Sequence, residues 1–232
     1  TEFWAEICLE TGISFVNCIP VFIASDPVWE QRFIDAGIPI VGDDMRSQFG
    51  ASIVSQMLQE LAFERGHHVK AHIQRNVGGN TDFLNMEDKN RLASKKISKE
   101  NVIRAQNEIR GIATDDSFLH AGPSEYIHFY GDNKVANFRL ELEGFGGSPV
   151  LFDAQLSVQD SPNSGGVVID AIRYLKVARE LGVVGALRGP SAFTQKTPPE
   201  QMMFSDAIYE CTELANRRLT KSTSSQMNKV KA

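Results

Sequence analysis

The sequence lacks the patterns of several protein classes. Its three cysteines (Cys8, Cys18 and Cys211) are few, odd in number and without CxxC spacing, so neither a disulfide framework nor a zinc site is indicated. No stretch reaches about 18 consecutive apolar residues, so no membrane-spanning helix is predicted. The first residues show no basic segment followed by an apolar one, and hence no secretion signal. We therefore predict a cytoplasmic protein.

Familiar catalytic and nucleotide-binding motifs are also missing. No serine lies in a GxSxG elbow, no GxGxxG segment occurs, and the histidines lack HExxH spacing. The formal net charge of −5 and the pI of about 5.6 disfavour nucleic-acid binding. A hydrophobic content of 42% with 23% charged residues is ordinary for a folded protein, so a disordered chain is excluded.

The first third of the chain alternates helices and buried strands. Residues 14–23 and 38–42 are nearly continuous apolar runs, as in strands buried on both faces of a parallel sheet. Asp26-Pro27 predicts the start of a helix between them, and apolar spacing predicts another helix over 46–65. This order is typical of the second half of a doubly wound, Rossmann-like α/β domain.

The remainder predicts an α+β organisation. Residues 135–146 and 148–158 alternate polar and apolar side chains and predict an antiparallel hairpin, and a helix is expected over 166–181. We predict these segments: a half Rossmann-like domain at 1–68, an α+β catalytic and tetramerisation domain at 69–165, C-terminal helices packing back on the Rossmann-like domain at 166–220, and a flexible tail at 221–232.

Two polar segments follow predicted strands. Asp43 and Asp44 come directly after a buried strand, and Ser47 and Gln48 add donors near a helix start, which suits an anion or cofactor site. The alternative is an aspartate that caps the next helix. The segment NVGGNTDF (76–83) combines two glycines, which permit tight backbone, with polar side chains, but taken in isolation it favours a structural turn.

Lysines supply the other candidates. Lys95 and Lys99 are four residues apart in SKKISKE, so on a helix they would share one face, which is useful if an oxyanion lies between them. A solvated basic face is the alternative. Lys134, Asp160-Ser161 and Lys196 lie at strand ends or in loops, where functional groups gather but where surface residues are also common.

Taken together, these segments resemble a known family. The order FVNCIPVFIA, PIVGDDMRSQFGAS, NVGGNTDF, SKKISK, GPSEY, DSPNSGGVVIDA and KTPP is similar to that of the bacterial and archaeal inositol-1-phosphate synthases. The resemblance runs from about residue 3 to about residue 200, and SKKISK and VGDD…SQ are its most specific parts. It implies a Rossmann-like domain joined to a GAPDH-C-like α+β domain.

The resemblance also implies an activity. Members of the family are NAD-dependent isomerases that convert glucose 6-phosphate into inositol 1-phosphate by oxidation, enolisation, aldol cyclisation and reduction. A homo-oligomer, by default a tetramer, is implied, with no nucleic-acid or membrane partner. A divalent metal or a monovalent cation occurs in some members, and no metal ligand is assigned in this sequence.

Roles for individual residues follow from the same resemblance. Lys95 and Lys196 are implied to handle proton transfer and oxyanions at carbons 5 and 1, while Lys99 and Lys134 hold the phosphate and assist enolisation, and Asp160 orients a catalytic lysine. The implied substrate-binding residues are Ser47, Gln48, Asn76 and Asp82, and the implied cofactor-binding residues are Asn17, Ile19, Pro20, Asp43, Asp44 and Ser161.

One departure from the family is visible. The glycine-rich phosphate loop lies upstream of the region where this chain begins with Thr1. Either the chain is part of a longer enzyme, or it is a truncated relative. The alternatives to the synthase are therefore a non-catalytic oligomerising module and a related NAD-dependent enzyme acting on another sugar phosphate.

The lysine assignment predicts the effect of one substitution. Lys99→Ala in the complete protein should abolish turnover of glucose 6-phosphate and leave the fold intact, because the variant loses a cation at a developing oxyanion. Product formation and circular dichroism measure the two effects, with Lys229→Ala in the C-terminal tail as the control. Near-normal activity of Lys99→Ala would contradict the assigned role.

Overall fold

The computed structural model of the protein describes residues 1–86, 104, 107–111 and 119–230, with the backbone alone at 123–124 and 221–230. Contacts within the chain divide it into two compact units. The first comprises Thr1–Met45 with Val168–Ala232, and the second comprises Arg46–Val167. The domain limits read from the sequence stay a prediction.

Regular structure dominates both units. In chain order the elements are α1 (Glu2–Thr11), β1 (Phe15–Val16), α2 (Pro27–Asp35), β2 (Pro39–Val41), α3 (Ala51–Glu64), β3 (His68–Gly78), α4 (Thr81–Asn85), β4 (Leu119–Tyr126), β5 (Asn133–Glu143), β6 (Pro149–Gln159), α5 (Asp160–Leu181), β7 (Gly185–Ala186), α6 (Arg188–Thr194) and α7 (Phe204–Val230). Among the described residues, no helix is long and apolar enough to cross a lipid bilayer.

The first unit is built on a small parallel sheet with strand order β1-β2-β7. Successive side chains of a strand point to opposite faces, and both faces here are covered. Ile40 belongs to a cluster with Ala5 of α1 and Phe33 of α2, whereas Val41 packs with Leu175 of α5. Helices on both faces of a parallel sheet confirm the predicted α/β class.

The second unit is a mixed sheet with strand order β4-β3-β5-β6. β3 is parallel to β4 and antiparallel to β5, and β5 and β6 form the predicted hairpin, in register from Asn133↔Gln159 to Glu143↔Pro149. Phe138 and Leu140 of β5 pack against α3 through Ala51. One face of this sheet is therefore covered by a helix.

The prediction of a long strand over 14–23 is wrong. β1 ends at Val16, and the chain continues as a loop in which Ile19, Val21 and Phe22 are exposed. Pro20 has no backbone N–H to contribute to a sheet. The backbone N–H groups at the end of this loop bond to a buried carboxylate instead of a neighbouring strand, as described below. Apolar composition alone therefore overestimated the strand.

Element boundaries also differ from the sequence prediction. α3 begins at Ala51 instead of residue 46, α5 begins at Asp160 instead of residue 166, and β3 continues through the segment predicted as a turn to Gly78. α7 extends to Val230, and the sequence has no glycine or proline after Phe204 that would end a helix earlier. The flexible tail at 221–232 stays a prediction.

A polar layer separates part of α3 from β3. Its members are buried side chains that bond to one another: Ser55, Gln59, His72, Gln74 and Asn76. The His72 ring nitrogens lie 2.8 Å from Gln59 Oε1 and 3.1 Å from Ser55 Oγ. Burial lowers the pKa of His72 from 6.5 to about 4.

The buried histidine predicts a pH dependence of stability. The unfolded chain binds this proton near pH 6.5 and the folded chain only near pH 4, so the folded state loses stability as the pH falls between these values. The loss from one such group is about 3 kcal/mol. Urea unfolding from pH 7 to pH 4 should show a weaker pH dependence for His72→Gln than for the parent. The exposed His128→Gln is the control, and equal slopes for all three proteins would contradict the assignment.

Candidate functional site

The Asp43 carboxylate is buried at the end of β2 and fixes the loop that follows β1. It accepts five hydrogen bonds, from Asn17 Nδ2 (2.7 Å), Ser25 Oγ (2.7 Å) and the backbone N–H groups of Ile23, Ala24 and Ser25 (3.0–3.1 Å). Its exposure is 0%. Five donors compensate the cost of burying the charge. Asp43 and Asn17, both predicted on the cofactor side, therefore shape this loop.

Asp44 contacts a lysine from a distant part of the sequence. Its Oδ1 lies 2.9 Å from Lys196 Nζ, and the two side chains are only 10% and 18% exposed. Backbone bonds align the partners, since Lys196 N–H donates to the Asp44 carbonyl at 2.7 Å and Asp43 and Thr197 exchange two bonds. The sequence analysis placed Asp44 with the cofactor and Lys196 with the substrate, whereas the structure pairs them.

The Asp44–Lys196 pair suits proton handling. Asp44 has φ 61°, in the left-handed region that aspartate tolerates better than most residues. Burial, together with the Asp44 charge, raises the pKa of the nearby Cys18 thiol, which therefore stays neutral beside the pair.

The Lys196 ammonium group carries three donor hydrogens, and the bond to Asp44 uses one of them. The others suit a substrate oxygen.

The loop after β1 presents an apolar surface. Ile19 is 53% exposed, Phe22 is 45% exposed and Pro20 is half-buried, while Asn17 Nδ2 also donates to the Val21 carbonyl. The loop follows the carboxyl end of a parallel strand, where α/β sheets bind ligands. An apolar surface with a fixed backbone suits one face of a planar ring such as nicotinamide.

In the second unit, Lys134 at the start of β5 pairs with Asp160 at the start of α5. Lys134 Nζ lies 3.2 Å from Asp160 Oδ1, and the side chains are 16% and 14% exposed. Asp160 Oδ2 accepts a bond from Asn80 Nδ2 at 3.1 Å. The lysine also lies 5.9 Å from the centre of the Phe83 ring. The structure thus brings together a predicted lysine and the aspartate predicted to orient such a lysine.

Sequence analysis missed Asp132 in this group. Asp132 accepts bonds from Ser161 Oγ at 2.6 Å and from Ser161 N–H at 3.0 Å, so Ser161 contacts a carboxylate. The Ser161 bonds lower the pKa of Asp132 despite its partial burial. The aspartate lies two residues before Lys134, a spacing that could have drawn attention to it.

Ser47 and Gln48 lie in a loop that α5 holds in place. The Gln48 and Phe49 N–H groups donate to the main-chain and side-chain oxygens of Asn163, and Asn163 Nδ2 donates to the Phe49 carbonyl at 2.7 Å. Gly166 lies so close that a Cβ there would be 2.6 Å from Gln48 Oε1. Asn163 was not predicted from the sequence.

The remaining predicted residues differ in placement. Asn76 lies within β3, not in a loop, and its side chain bonds to Gln74 and the Gly122 carbonyl inside the polar layer. Asp82 lies in α4 and is exposed. Lys95 and Lys99 lie outside the described residues. Their roles, like those of the other site residues, stay predictions.

A metal centre was left open by the sequence. Within residues 1–86, 104, 107–111 and 119–230, no three His, Cys, Asp or Glu side chains cluster closely enough to hold a metal ion. The carboxylates described above accept hydrogen bonds from amide, hydroxyl, backbone and lysine donors: Asp43, Asp44, Asp132 and Asp160.

Known proteins match both the sequence and the fold. A sequence model of the family described as myo-inositol-1-phosphate synthase matches residues 50–161. An inositol-3-phosphate synthase of Mycobacterium tuberculosis is 47% identical over 201 residues, and one of Corynebacterium glutamicum is 46% identical over 203 residues, each across 87% of the chain. The chain belongs to this family.

The fold comparison agrees with this family membership. The crystal structure of a myo-inositol-1-phosphate synthase-related protein from Thermotoga maritima has a TM-score of 0.78 and 28% identity, with 92% of this chain and 55% of that chain aligned. The chain spans about half the length of the curated relatives that it matches, 54% and 56% for the two synthases above. The resemblance and the fold class read from the sequence are confirmed.

The saturated Asp43 carboxylate predicts a graded loss of stability. Asp43→Ala leaves several buried donors without an acceptor and should cost about 3 kcal/mol or more. Ser25→Ala removes one donor and should cost about 1 kcal/mol. Asp35→Ala at an exposed position should change the free energy of unfolding by about 0.5 kcal/mol or less. Urea titration measures all three, and an Asp43→Ala protein as stable as Asp35→Ala would refute the anchoring role.

Proposed function

We propose that the complete protein is an inositol-3-phosphate synthase. It converts D-glucose 6-phosphate into 1L-myo-inositol 1-phosphate, which is the same compound as 1D-myo-inositol 3-phosphate. The observation that carries the proposal is the presence of two largely buried lysine–carboxylate pairs, Lys134–Asp160 and Lys196–Asp44, in a chain 47% identical to a synthase of that name. Buried ammonium groups are suited to negative charge that develops on oxygen.

The reaction needs several proton transfers and no net oxidant. In the open-chain sugar, the carbon 5 hydroxyl is oxidised to a ketone, which acidifies carbon 6. Carbon 6 then loses a proton and attacks the carbon 1 aldehyde, whose oxygen gains a proton. Bound NAD, which the loop with Ile19 and Pro20 would hold, would supply the hydride acceptor for carbon 5 and the hydride donor once the ring has closed. Substrate and product have the same molecular formula, so the reaction is an isomerisation.

Lys196 and Lys134 have different tasks in this scheme. Lys196 exchanges a proton with a sugar oxygen at carbon 5 or carbon 1, with Lys95 as its partner, and the hydrogen bond to Asp44 holds the Lys196 side chain in place. Lys134 contacts the substrate phosphate with Lys99 and assists enolisation, while Asp160 fixes its direction. Fixed cations need no reorganisation as the charge develops, which is a large part of catalysis by such sites.

Backbone and hydroxyl groups complete the proposed substrate contacts. The Ser47–Gln48 loop, held by Asn163, supplies a hydroxyl and an amide to the phosphate. Asp82 is proposed to bond to a sugar hydroxyl from its exposed position in α4. Asn76 is proposed to act from within the polar layer, where it supports the strand that leads to this segment.

The loop after β1 is the proposed nicotinamide side of the site. Ile19 and Pro20 offer apolar contacts, and Asn17 and Asp43 hold the backbone in place. Ser161 and Asp44 are proposed to bond to polar groups of the same cofactor. A divalent metal or monovalent cation is an additional proposed cofactor, for which no described residue cluster provides support.

A homotetramer in the cytoplasm is the proposed working form. β6 lies at the edge of its sheet and exposes Val150, Leu151 and Phe152, and such an edge favours association with another chain. The proposed substrates are charged metabolites that do not cross membranes unaided, which supports an intracellular site of action. Light scattering of the complete protein measures the assembly.

Activity and variants of the complete protein test the proposal. Incubation with NAD and glucose 6-phosphate should yield inositol 1-phosphate without net NADH. Lys134→Met and Lys196→Met should each lower kcat by about 100-fold or more, because each removes a cation that meets a developing charge. The exposed Lys176→Met is the control and should retain activity.

Other outcomes discriminate between the alternatives. A different sugar-phosphate product with the same lysine dependence would indicate a related NAD-dependent enzyme. Absence of NAD binding by the complete protein would indicate a non-catalytic oligomerising module and would overturn the proposal.

A further inference from the structure

The start of α5 is bonded by a residue from another element. Asp160 N–H donates to the Asp132 carbonyl at 3.0 Å, and Ser161 N–H donates to Asp132 Oδ2 at the same distance. Ser161 Oγ donates to Asp132 Oδ1 at 2.6 Å. The first N–H groups of a helix have no partner within the helix, and an aspartate at the helix start usually accepts from them. Asp132 takes that position here.

This arrangement leaves the Asp160 carboxylate available for other donors. Asp160 Oδ1 accepts from Lys134 Nζ at 3.2 Å and Oδ2 accepts from Asn80 Nδ2 at 3.1 Å, so both oxygens bond to side chains outside their own helix. An Asp160 side chain that capped α5 itself could not hold this orientation. The direction of the Asp160 carboxylate thus depends on which residue accepts hydrogen bonds from the first N–H groups of α5.

The register of the β5–β6 hairpin explains why Asp132 reaches this place. Asn133 is paired with Gln159 and Lys134 with Val158, so the antiparallel register brings Asp132, the residue before Asn133, next to the residues that follow Gln159. Asp132 reaches Ser161, and Lys134 reaches Asp160. Asn80 Nδ2 lies within 3.4 Å of Asp132 Oδ1 and links the two carboxylates. Ionised Asp132 is favoured, since the Ser161 hydroxyl bond lowers its pKa.

We infer that Asp132 is a positioning residue for the Lys134–Asp160 pair: by bonding to the start of α5, it directs the Asp160 carboxylate to Lys134. Its catalytic consequence rests on the proposed function, in which Lys134 contacts the substrate. Asp132 itself acts through Asp160 and is not assigned a contact with substrate.

The first test measures the pair without any activity assay. The complete protein is treated with a limiting amount of acetic anhydride, and acetylation of each lysine is followed by mass spectrometry. In Asp132→Ala, Lys134 should react several-fold faster than in the parent, approaching its rate in Asp160→Ala, because the ammonium loses its fixed partner. The exposed Lys176 serves as the internal reference.

Matched variants separate positioning from charge and from general damage. Asp132→Asn should react like the parent, because its amide oxygen still accepts the Ser161 N–H bond. Ser161→Ala, which keeps the N–H bond and loses the hydroxyl bond, should lie between the parent and Asp132→Ala. Asp153→Ala, at an exposed aspartate in β6, should leave Lys134 reactivity unchanged. If Asp132→Ala does not fold, the Asn and Ser161 variants decide the question.

The second test uses glucose 6-phosphate turnover. Asp132→Ala should lower kcat by about 10-fold or more, since small misplacements of a positioned group are costly, and Asp132→Asn should recover most of it. An unchanged Lys134 acetylation rate in Asp132→Ala, or an Asn variant as impaired as the Ala variant, would overturn the inference. If the variants show the expected differences in Lys134 acetylation but the parent protein has no synthase activity, the proposed function is rejected and the positioning role of Asp132 stands.

Discussion

A carboxylate buried away from water requires donors, and at Asp43 the donors belong to the loop after β1. Five bonds converge on its two oxygens, so displacement of the loop would leave a buried carboxylate without hydrogen-bond donors. The neighbouring residue, Asp44, bonds to a lysine instead. The two adjacent aspartates thus have different roles: Asp43 fixes the backbone of the loop after β1, and Asp44 fixes the Lys196 ammonium group.

The second unit repeats this division with residues from different elements. Asp132 bonds to the backbone and hydroxyl at the start of α5, and Asp160 bonds to Lys134 and Asn80. In both cases the lysine is largely buried beside its partner, so the interaction is screened less by solvent than a surface ion pair. Removal of Asp43 would therefore affect the loop after β1. Removal of Asp132 would affect Lys134, which bonds to Asp160 and not to Asp132.

The sequence predicted the features that depend on neighbouring residues. Asp26-Pro27 identified the start of α2, where Asp26 accepts from Val28 and Trp29 N–H, and alternation identified the hairpin of β5 and β6. It failed for residues 14–23 and for the start of α5, because the groups that bond to these segments, Asp43 and Asp132, are distant in sequence.

The candidate site shows the same limit. The family resemblance selected Lys134, Lys196, Asp44 and Asp160 individually, but nothing local indicates that Asp44 pairs with a lysine 152 positions away. Asp132 was missed because an aspartate before a strand is common in surface turns. Lys95 and Lys99 carry the most specific motif and lie outside the described residues, so their place relies on the resemblance.

The polar layer between α3 and β3 has a consequence for how this helix can sit on its sheet. A helix that packs on a sheet through apolar side chains alone can shift along it, since one methyl group replaces another at little cost in free energy. Hydrogen bonds are directional and oppose such a shift. A displacement of α3 by one turn would remove Ser55 and Gln59 from His72 and Gln74 together. The hydrogen bonds therefore fix the position of α3 along β3. As a result, the end of β3, which leads to Asn80, has a fixed position relative to the helix.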